Sequence, residues 1–294
     1  MIYIVTRKGK EIGTLALTII AIAILTTTLF SGCTQQTNEG LPIVAYGRAA
    51  PSGTRDYFSE AVMNKQNFSQ NIYEANSNGA IYESVVATSG AIGYVGIGFI
   101  TSDIKVLTIN NVSATIENVI SKTYPLSRDL YLITKGDATG NAKEFIDFMQ
   151  SIEGQTEVEA EKFVPVPEYQ VIHYNSTGKH LTGTIKISGS TTVAPIIEKA
   201  KVAFETLYQG IHITITSPGS GAGITAVSRQ GTADIAMSSR DLKPEETGLI
   251  KYVVAKDGLA IIVHKTNTYM DNLSIAQLKA IYLGEITNWN QLSK

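Results

Sequence analysis

The 294 residues are 44% hydrophobic and 17% charged, which supplies a sizeable core and about two domains and excludes a disordered chain. With 24 basic and 26 acidic residues the net charge is −2, so there is no broad basic field to hold a nucleic-acid backbone, and a small anion must be held by local dipoles and a few placed cations. The single cysteine, Cys33, excludes an intramolecular disulfide framework and a multi-cysteine metal site.

At the start of the chain, Arg7, Lys8 and Lys10 precede an apolar run from Ile12 to Phe30, the pattern of an export signal. Ser31, Gly32 and Cys33 follow, small residues before a cysteine as in a lipobox, whose thiol is lipidated and becomes the new N-terminus. Residues 34–40 then form a polar tether. The alternative is an uncleaved membrane anchor, since the run approaches the roughly 20 residues that span a bilayer. Both readings place the body outside the cytoplasm, on the outer face of the cell membrane.

From Leu41 onward, short β-branched runs alternate with helix-period segments, which predicts an α/β fold with mainly parallel strands. Strands are expected at Ile43–Tyr46, Ala91–Val95, Lys105–Thr108, Leu130–Thr134, Ile211–Thr216, Asp234–Met237 and Leu259–Val263. Helices are expected to begin near Thr54, Ala80, Asn141, Gly223 and Ser274. A further helix over Ala194–Tyr208 places Ile196, Ala200, Phe204, Leu207 and Tyr208 on one face. Residues 167–183 show no sustained period and read as a long linker.

Three loops between a strand and a helix share glycine and hydroxyl residues at the helix start: Ser188 to Thr192, Gly219 to Gly223, and Pro51 to Thr54. Free N–H groups and the positive end of the helix dipole make such starts suited to anions, and glycine lets the backbone approach closely. Any one loop is explained by ordinary capping. Three of them, with Arg48 four residues before Ser52, point to an oxyanion site. Ser220 lacks the glycine spacing of a hydrolase elbow, and the Gly219 to Gly223 loop lacks the lysine of a P-loop. The four histidines, His173, His180, His212 and His264, have no partner spacing, so neither catalysis nor a metal or cofactor is expected.

The stretches ISGSTTVAPI, SPGSGAGI, GTADIAMSSRDLK, DGLAIIVHKTN, LKAIYLGEITNW, SGTRDYF, ANSNGAIYESVVATSGAIGYVG and YPLSRDLYLITKG resemble the phosphate-binding protein of phosphate ABC importers. The resemblance covers nearly all of residues 41–166 and 184–292. It implies a type II periplasmic-binding-protein-like fold, two α/β lobes with a ligand cleft between them. In that family the half resembling residues 183–289 comes first, so the resemblance also implies a circularly permuted order, with the linker 167–183 joining the usual termini. Carried onto this order, residues 41–104 plus 265–294 form a split lobe and residues 105–264 a continuous one.

Residue by residue, the resemblance implies phosphate contacts from Arg48, Ser52, Gly53 and Thr54, from Thr191 and Thr192, and from Ser220. Ser239 stands where many members carry an aspartate that accepts the proton of phosphate, which puts discrimination against sulfate in question. Arg240 beside it either adds positive charge or caps the cleft rim. Ala50 replaces an acidic neighbour of the binding arginine, which leaves Arg48 less rigidly oriented. The implied function is capture of inorganic phosphate by a monomeric solute-binding protein and delivery to ABC permease subunits, with no nucleic acid as partner. A surface phosphate sensor or scaffold uncoupled from transport, or a nonfunctional rearranged relic, is the alternative.

Overall fold

The computed structural model describes residues 40–292. The export segment, Cys33 and the tether through residue 39 lie outside the described residues. No described helix is long and apolar enough to cross a membrane.

Ten strands form one curled, mixed sheet. They are β1 (Val44–Arg48), β2 (Tyr73–Ala75), β3 (Ala91–Gly96), β4 (Ile104–Ile109), β5 (Ser127–Lys135), β6 (Thr182–Gly189), β7 (Gly210–Thr216), β8 (Ile235–Ser238), β9 (Leu249–His264) and β10 (Asn272–Leu273). Their order is β2-β1-β3-β9-β5-β8-β6-β7, with β4 on β9 and β10 on β4. The helices are α1 (Gly53–Ala61), α2 (Asn78–Ala87), α3 (Ile116–Ile120), α4 (Gly140–Met149), α5 (Ile152–Ala160), α6 (Ala194–Leu207), α7 (Ser220–Thr225) and α8 (Ile275–Leu283).

The arrangement turns on β9. Its first part, Leu249 to Gly258, pairs antiparallel with β5. Its second part, Leu259 to His264, pairs antiparallel with β3 on one side and β4 on the other. β1 is parallel to β2 and β3, β6 is parallel to β7 and β8, and β10 is parallel to β4, so the parallel strands sit in three groups joined by antiparallel ones. The sheet is therefore mixed rather than mainly parallel. Leu259 to Val263 are fully buried, which explains their unbroken apolar run.

Local sequence sets the helix starts. Ser52 caps α1 by accepting from the Arg55 N–H, Ser77 caps α2 through the Ala80 N–H, and Ser274 and Gln277 form a capping box on α8. On α6 the predicted face is buried at Ile196, Ala200, Phe204 and Tyr208, but Leu207 is 48% exposed at its edge. The linker is irregular after a short 3-10 turn at Pro167–Tyr169, and β6 begins at Thr182.

Aromatic side chains fill two parts of the core. Phe58, Tyr94 and Tyr282 cluster with Phe58 stacked on Tyr94 at 4.2 Å between centroids, while Phe145 and Phe148 pack on Phe204. Trp289 is buried and its Nε1 donates to the Gly90 carbonyl. Around it the two ends of the described chain meet: Ile43 N donates to Thr287 O, Trp289 N to Leu41 O, and Asn288 Nδ2 to Gly40 O.

Candidate functional site

The loop before α1, the loop before α6, the start of α7 and the end of β8 converge on one buried polar cluster. Ser52, Thr54, Thr192, Ser220 and Ser239 are each no more than 2% exposed. Thr54 Oγ1 lies 3.0 Å from Thr192 Oγ1 and 3.3 Å from Ser239 Oγ, and Ser220 Oγ lies 3.4 Å from Ser239 Oγ. Residues as far apart in sequence as Thr54 and Ser239 thus share one group of hydroxyls. Ser190, also buried, does not join it: its Oγ accepts the Thr192 and Val193 N–H groups and shapes the turn.

Glycine permits this approach. A Cβ on Gly53 would lie 2.2 Å from Ser220 Oγ and 2.9 Å from Ser239 Oγ. Gly219, at φ +114°, faces the Pro51 carbonyl at a distance that leaves no room for a side chain.

Two arginines supply charge. Arg48 is 2% exposed; its Nε donates to Ala75 O and its Nη2 to Asn76 O. It is oriented by backbone carbonyls, so the missing acidic neighbour at Ala50 does not leave it loose. It takes part in no ion pair among the described residues. Burial, with a smaller contribution from the Arg128 charge and against a raising effect of Tyr94, lowers its pKa to about 10, which leaves it charged at neutral pH. Arg128 is also buried and ion-pairs with Asp257 through Nε and Nη2 at 2.8 and 2.7 Å. Its Nη1 reaches Thr54 Oγ1 and the Ser239 carbonyl, both at 3.1 Å. Burial pushes the Asp257 carboxyl above its ordinary range, against the opposing pull of Arg128 and the Ile97 N–H.

The structure brings Gly53, Thr54, Thr192, Ser220 and Ser239 together, with Ser52 next to Gly53 but its hydroxyl capping α1. Thr191 sits at the margin, half-buried, with Asn78 Nδ2 at 3.4 Å. Arg240 turns away. Its Nε bonds Asp56 at 2.9 Å, its Nη1 and Nη2 bond Glu246 at 2.7 Å each, and Nη1 also bonds Asp241 O. It braces the rim, where a cavity of about 440 Å³ opens among Pro51, Asp56, Gly221, Arg229, Arg240 and Lys243.

Sequence reasoning missed three members. Arg128 and Asp257 are opposite charges set in buried strands 129 positions apart, and that oddity was the available signal. Asn78, fully buried at the start of α2, donates from Nδ2 to Thr192 Oγ1 at 2.8 Å, and nothing in its neighbourhood marks it out.

Comparison with known proteins follows the same lines. The PBP superfamily domain matches residues 21–153 and 175–294. "Phosphate-binding protein PstS 2" of Streptococcus pneumoniae serotype 4 is 33% identical over 271 residues, 89% of this chain and 91% of its own length. The protein of the same name from Streptococcus agalactiae serotype V is 32% identical over 303 residues, 98% of this chain and 100% of its own. Among solved structures, the phosphate-binding protein of a phosphate ABC transporter from Streptococcus pneumoniae TIGR4 superposes with a TM-score of 0.70 at 32% identity, covering 86% of this chain and 100% of that one.

Proposed function

The chain belongs to the phosphate-binding proteins of the PBP superfamily, and from that membership we propose that its polar cluster captures inorganic phosphate and that the loaded protein delivers it to an ABC importer. The observation that carries this reading is the charge balance. Arg128 is neutralised by Asp257, whereas Arg48, four residues before Ser52 and near enough to Arg128 to feel its charge, is buried with no carboxylate partner among the described residues. A buried unpaired cation is costly, and an anion that enters beside it removes that cost.

The ligand contacts are Arg48, Ser52, Gly53, Thr54, Thr192, Ser220 and Ser239, with Thr191 at the edge. Hydrogen bonds to a charged group contribute about 1.5 to 3 kcal/mol each, and micromolar affinity needs about 8 kcal/mol, so a few of these suffice. Ser52, Gly53 and Thr54 come from one side of the cleft, Thr192, Ser220 and Ser239 from the other. A ligand that touches both sides drives closure because both sets of contacts exist together only in the closed form. No bond is made or broken, and the protein acts as a monomeric carrier.

The lobes are residues 41–126 with 259–292, and residues 127–257. The pairing of β4 with β9 and β10 supports placing residues 104–109 in the first of these rather than in the continuous lobe. A permuted chain order accounts for the ends: residues 40–43 lie against residues 287–289, where an unpermuted chain would run straight through, and the irregular segment 170–181 serves as the joint. The alignment with the Streptococcus agalactiae protein along its full length indicates a shared order, which speaks against an isolated rearranged relic. The body is extracytoplasmic and tethered by Cys33 or by the apolar segment before it.

Isothermal calorimetry of the purified chain with phosphate tests the reading. Binding that is weakened at least tenfold by Arg48→Lys supports it. A folded chain that takes up no phosphate refutes it.

A further inference from the structure

Asn78 opens α2 and brings its carboxamide to the hydroxyl cluster. The residue is fully buried, and its Nδ2 donates to Thr192 Oγ1 at 2.8 Å, with Thr191 Oγ1 at 3.4 Å. The other end of the same planar group, Oδ1, is also shut away from water. Among the buried side-chain oxygens of the described residues, it is the one without a hydrogen-bond partner. Leaving a buried acceptor unmatched is costly, so such an atom calls for an explanation. Helix capping does not provide one, because Ser77 already caps α2 by accepting from the Ala80 N–H.

The chemistry around it points to a ligand. Arg48 Nη2 donates to Asn76 O at 2.7 Å, which sets the buried, unpaired guanidinium beside the turn that opens α2. Arg48 and Arg128 have no lone pair to offer. Thr54 Oγ1 already accepts from Arg128 Nη1, and Ser220 Oγ from the Ser239 N–H. The carboxylates nearby are occupied: Asp257 accepts from Arg128 and the Ile97 N–H, and Asp56 is held by Arg240 and Lys243. Phosphate near neutral pH carries a proton in both of its common forms, whereas sulfate carries none. The protonated oxygen needs an acceptor, and Asn78 Oδ1 is a buried acceptor that no donor occupies.

We propose that Asn78 Oδ1 accepts the hydrogen bond of the protonated phosphate oxygen and thereby sets the preference of this site for phosphate over sulfate. The proposal rests on the reading of the cluster as a phosphate site. The resemblance gives that role to an aspartate at the position of Ser239; here the acceptor comes instead from α2, on the side of the cleft that carries Thr54. One carboxamide does two things. Its Nδ2 occupies a lone pair of Thr192 Oγ1 and leaves the Thr192 proton for the ligand, and its Oδ1 meets the proton that the ligand brings. A sulfate oxygen in the same place sets lone pair against lone pair, which is unfavourable.

The test is calorimetry of the purified full chain with phosphate and with sulfate near neutral pH, for the native sequence, Asn78→Ala, Asn78→Asp and Ser239→Ala. The native protein is expected to prefer phosphate by at least about a hundredfold. Asn78→Ala removes the acceptor, so phosphate affinity falls while sulfate affinity does not, and the preference drops by at least about tenfold. Loss of packing alone weakens both anions by the same factor and leaves the preference where it was. Asn78→Asp keeps an acceptor in place and is expected to retain the preference, although its added charge weakens both anions. It decides the matter by itself if the alanine variant does not fold. Ser239→Ala is expected to weaken both anions and to leave their ratio within about threefold of the native one. Equal binding of the two anions by the native protein, an unchanged preference in folded Asn78→Ala, or a preference lost in Asn78→Asp overturns the proposal. A preference that collapses in Ser239→Ala and not in Asn78→Ala overturns it too and gives the role to Ser239. Absence of binding by either anion refutes the phosphate site itself.

Discussion

Arg240 and Asp56 join the two sides of the cleft mouth: Nε of the arginine, 4% exposed in its side chain, lies 2.9 Å from Oδ2 of the aspartate on α1. Glu246 holds the same guanidinium from behind with both carboxylate oxygens, and Lys243 adds a contact to Asp56 at 3.1 Å. On the two-lobe reading proposed above, the contact ties one side of the mouth to the other, and opening would break it.

Asp56→Asn weakens that contact without touching the hydroxyl cluster. Because Asp56 is about a third exposed, solvent screening limits the pair to about 1 kcal/mol, or roughly fivefold in an equilibrium. The expected result is a severalfold faster phosphate release with a smaller change in association rate, read by stopped-flow fluorescence.

The support for Arg240 depends on pH in a defined direction. Burial alone would raise the Glu246 carboxyl, but Arg240 and the Lys243 N–H outweigh it and hold its pKa below 4.5. A carboxyl depressed in the folded state contributes stability that is present above its unfolded pKa and is lost as pH falls through the folded one. The thermal midpoint of the native protein is expected to exceed that of Glu246→Gln at pH 6, and the gap to close as the pH is lowered beneath 4.5.

Asp257→Asn leaves the Arg128 guanidinium buried without its carboxylate. Breaking a buried pair from one side costs about 3–5 kcal/mol, so a large fall in thermal midpoint is expected. An oxyanion in the cleft lies near that charge, and phosphate should therefore raise the midpoint of the variant by more than it raises that of the native protein. Differential scanning fluorimetry with and without phosphate measures both.

Gly53→Ala places a methyl group against Ser220 Oγ at 2.2 Å and Ser239 Oγ at 2.9 Å. Alanine suits the first turn of α1, so the variant is expected to fold as well as the native chain. Full closure is blocked, and phosphate affinity should drop at least tenfold in calorimetry while the midpoint without ligand stays within a degree or two.

Most elements were legible because their apolar periods are local: α6 from Ile196, Ala200 and Phe204, and the second part of β9 from the unbroken Leu259 to Val263 run. The first part of β9 was not legible. Ile250 is 40% exposed, and Lys251, Lys256 and Asp257 interrupt the pattern, so only the partner strand β5 defines it. The site shows the same division. Glycine and hydroxyl loops are visible as strings of residues, and the resemblance named Thr192 and Ser220 from them. Thr191, adjacent to Thr192, could not be told apart from it by sequence, because what separates them is tertiary: Thr192 is buried with the nearer contact to Asn78 on a distant helix, and Thr191 is only half-buried. The roles of Arg128 and Asn78 exist only through partners more than 70 residues away.

In the lobe division proposed above, the chain passes between the lobes twice, once at Leu126 and Ser127 and once at Asp257 and Gly258, and these two stretches are bonded to one another. Leu259 N donates to Leu126 O at 2.8 Å, Tyr124 Oη donates to Leu259 O, and Tyr57 Oη reaches Ser127 O across them. Paired passages behave as an axle rather than as two separate strings. They leave the lobes one easy degree of freedom, rotation about their common line, and resist sliding or splaying. On that division, each opening and closing would return Thr54 to the same position opposite Thr192, 3.0 Å between hydroxyl oxygens, so a carrier could cycle many times without losing the register on which its site depends.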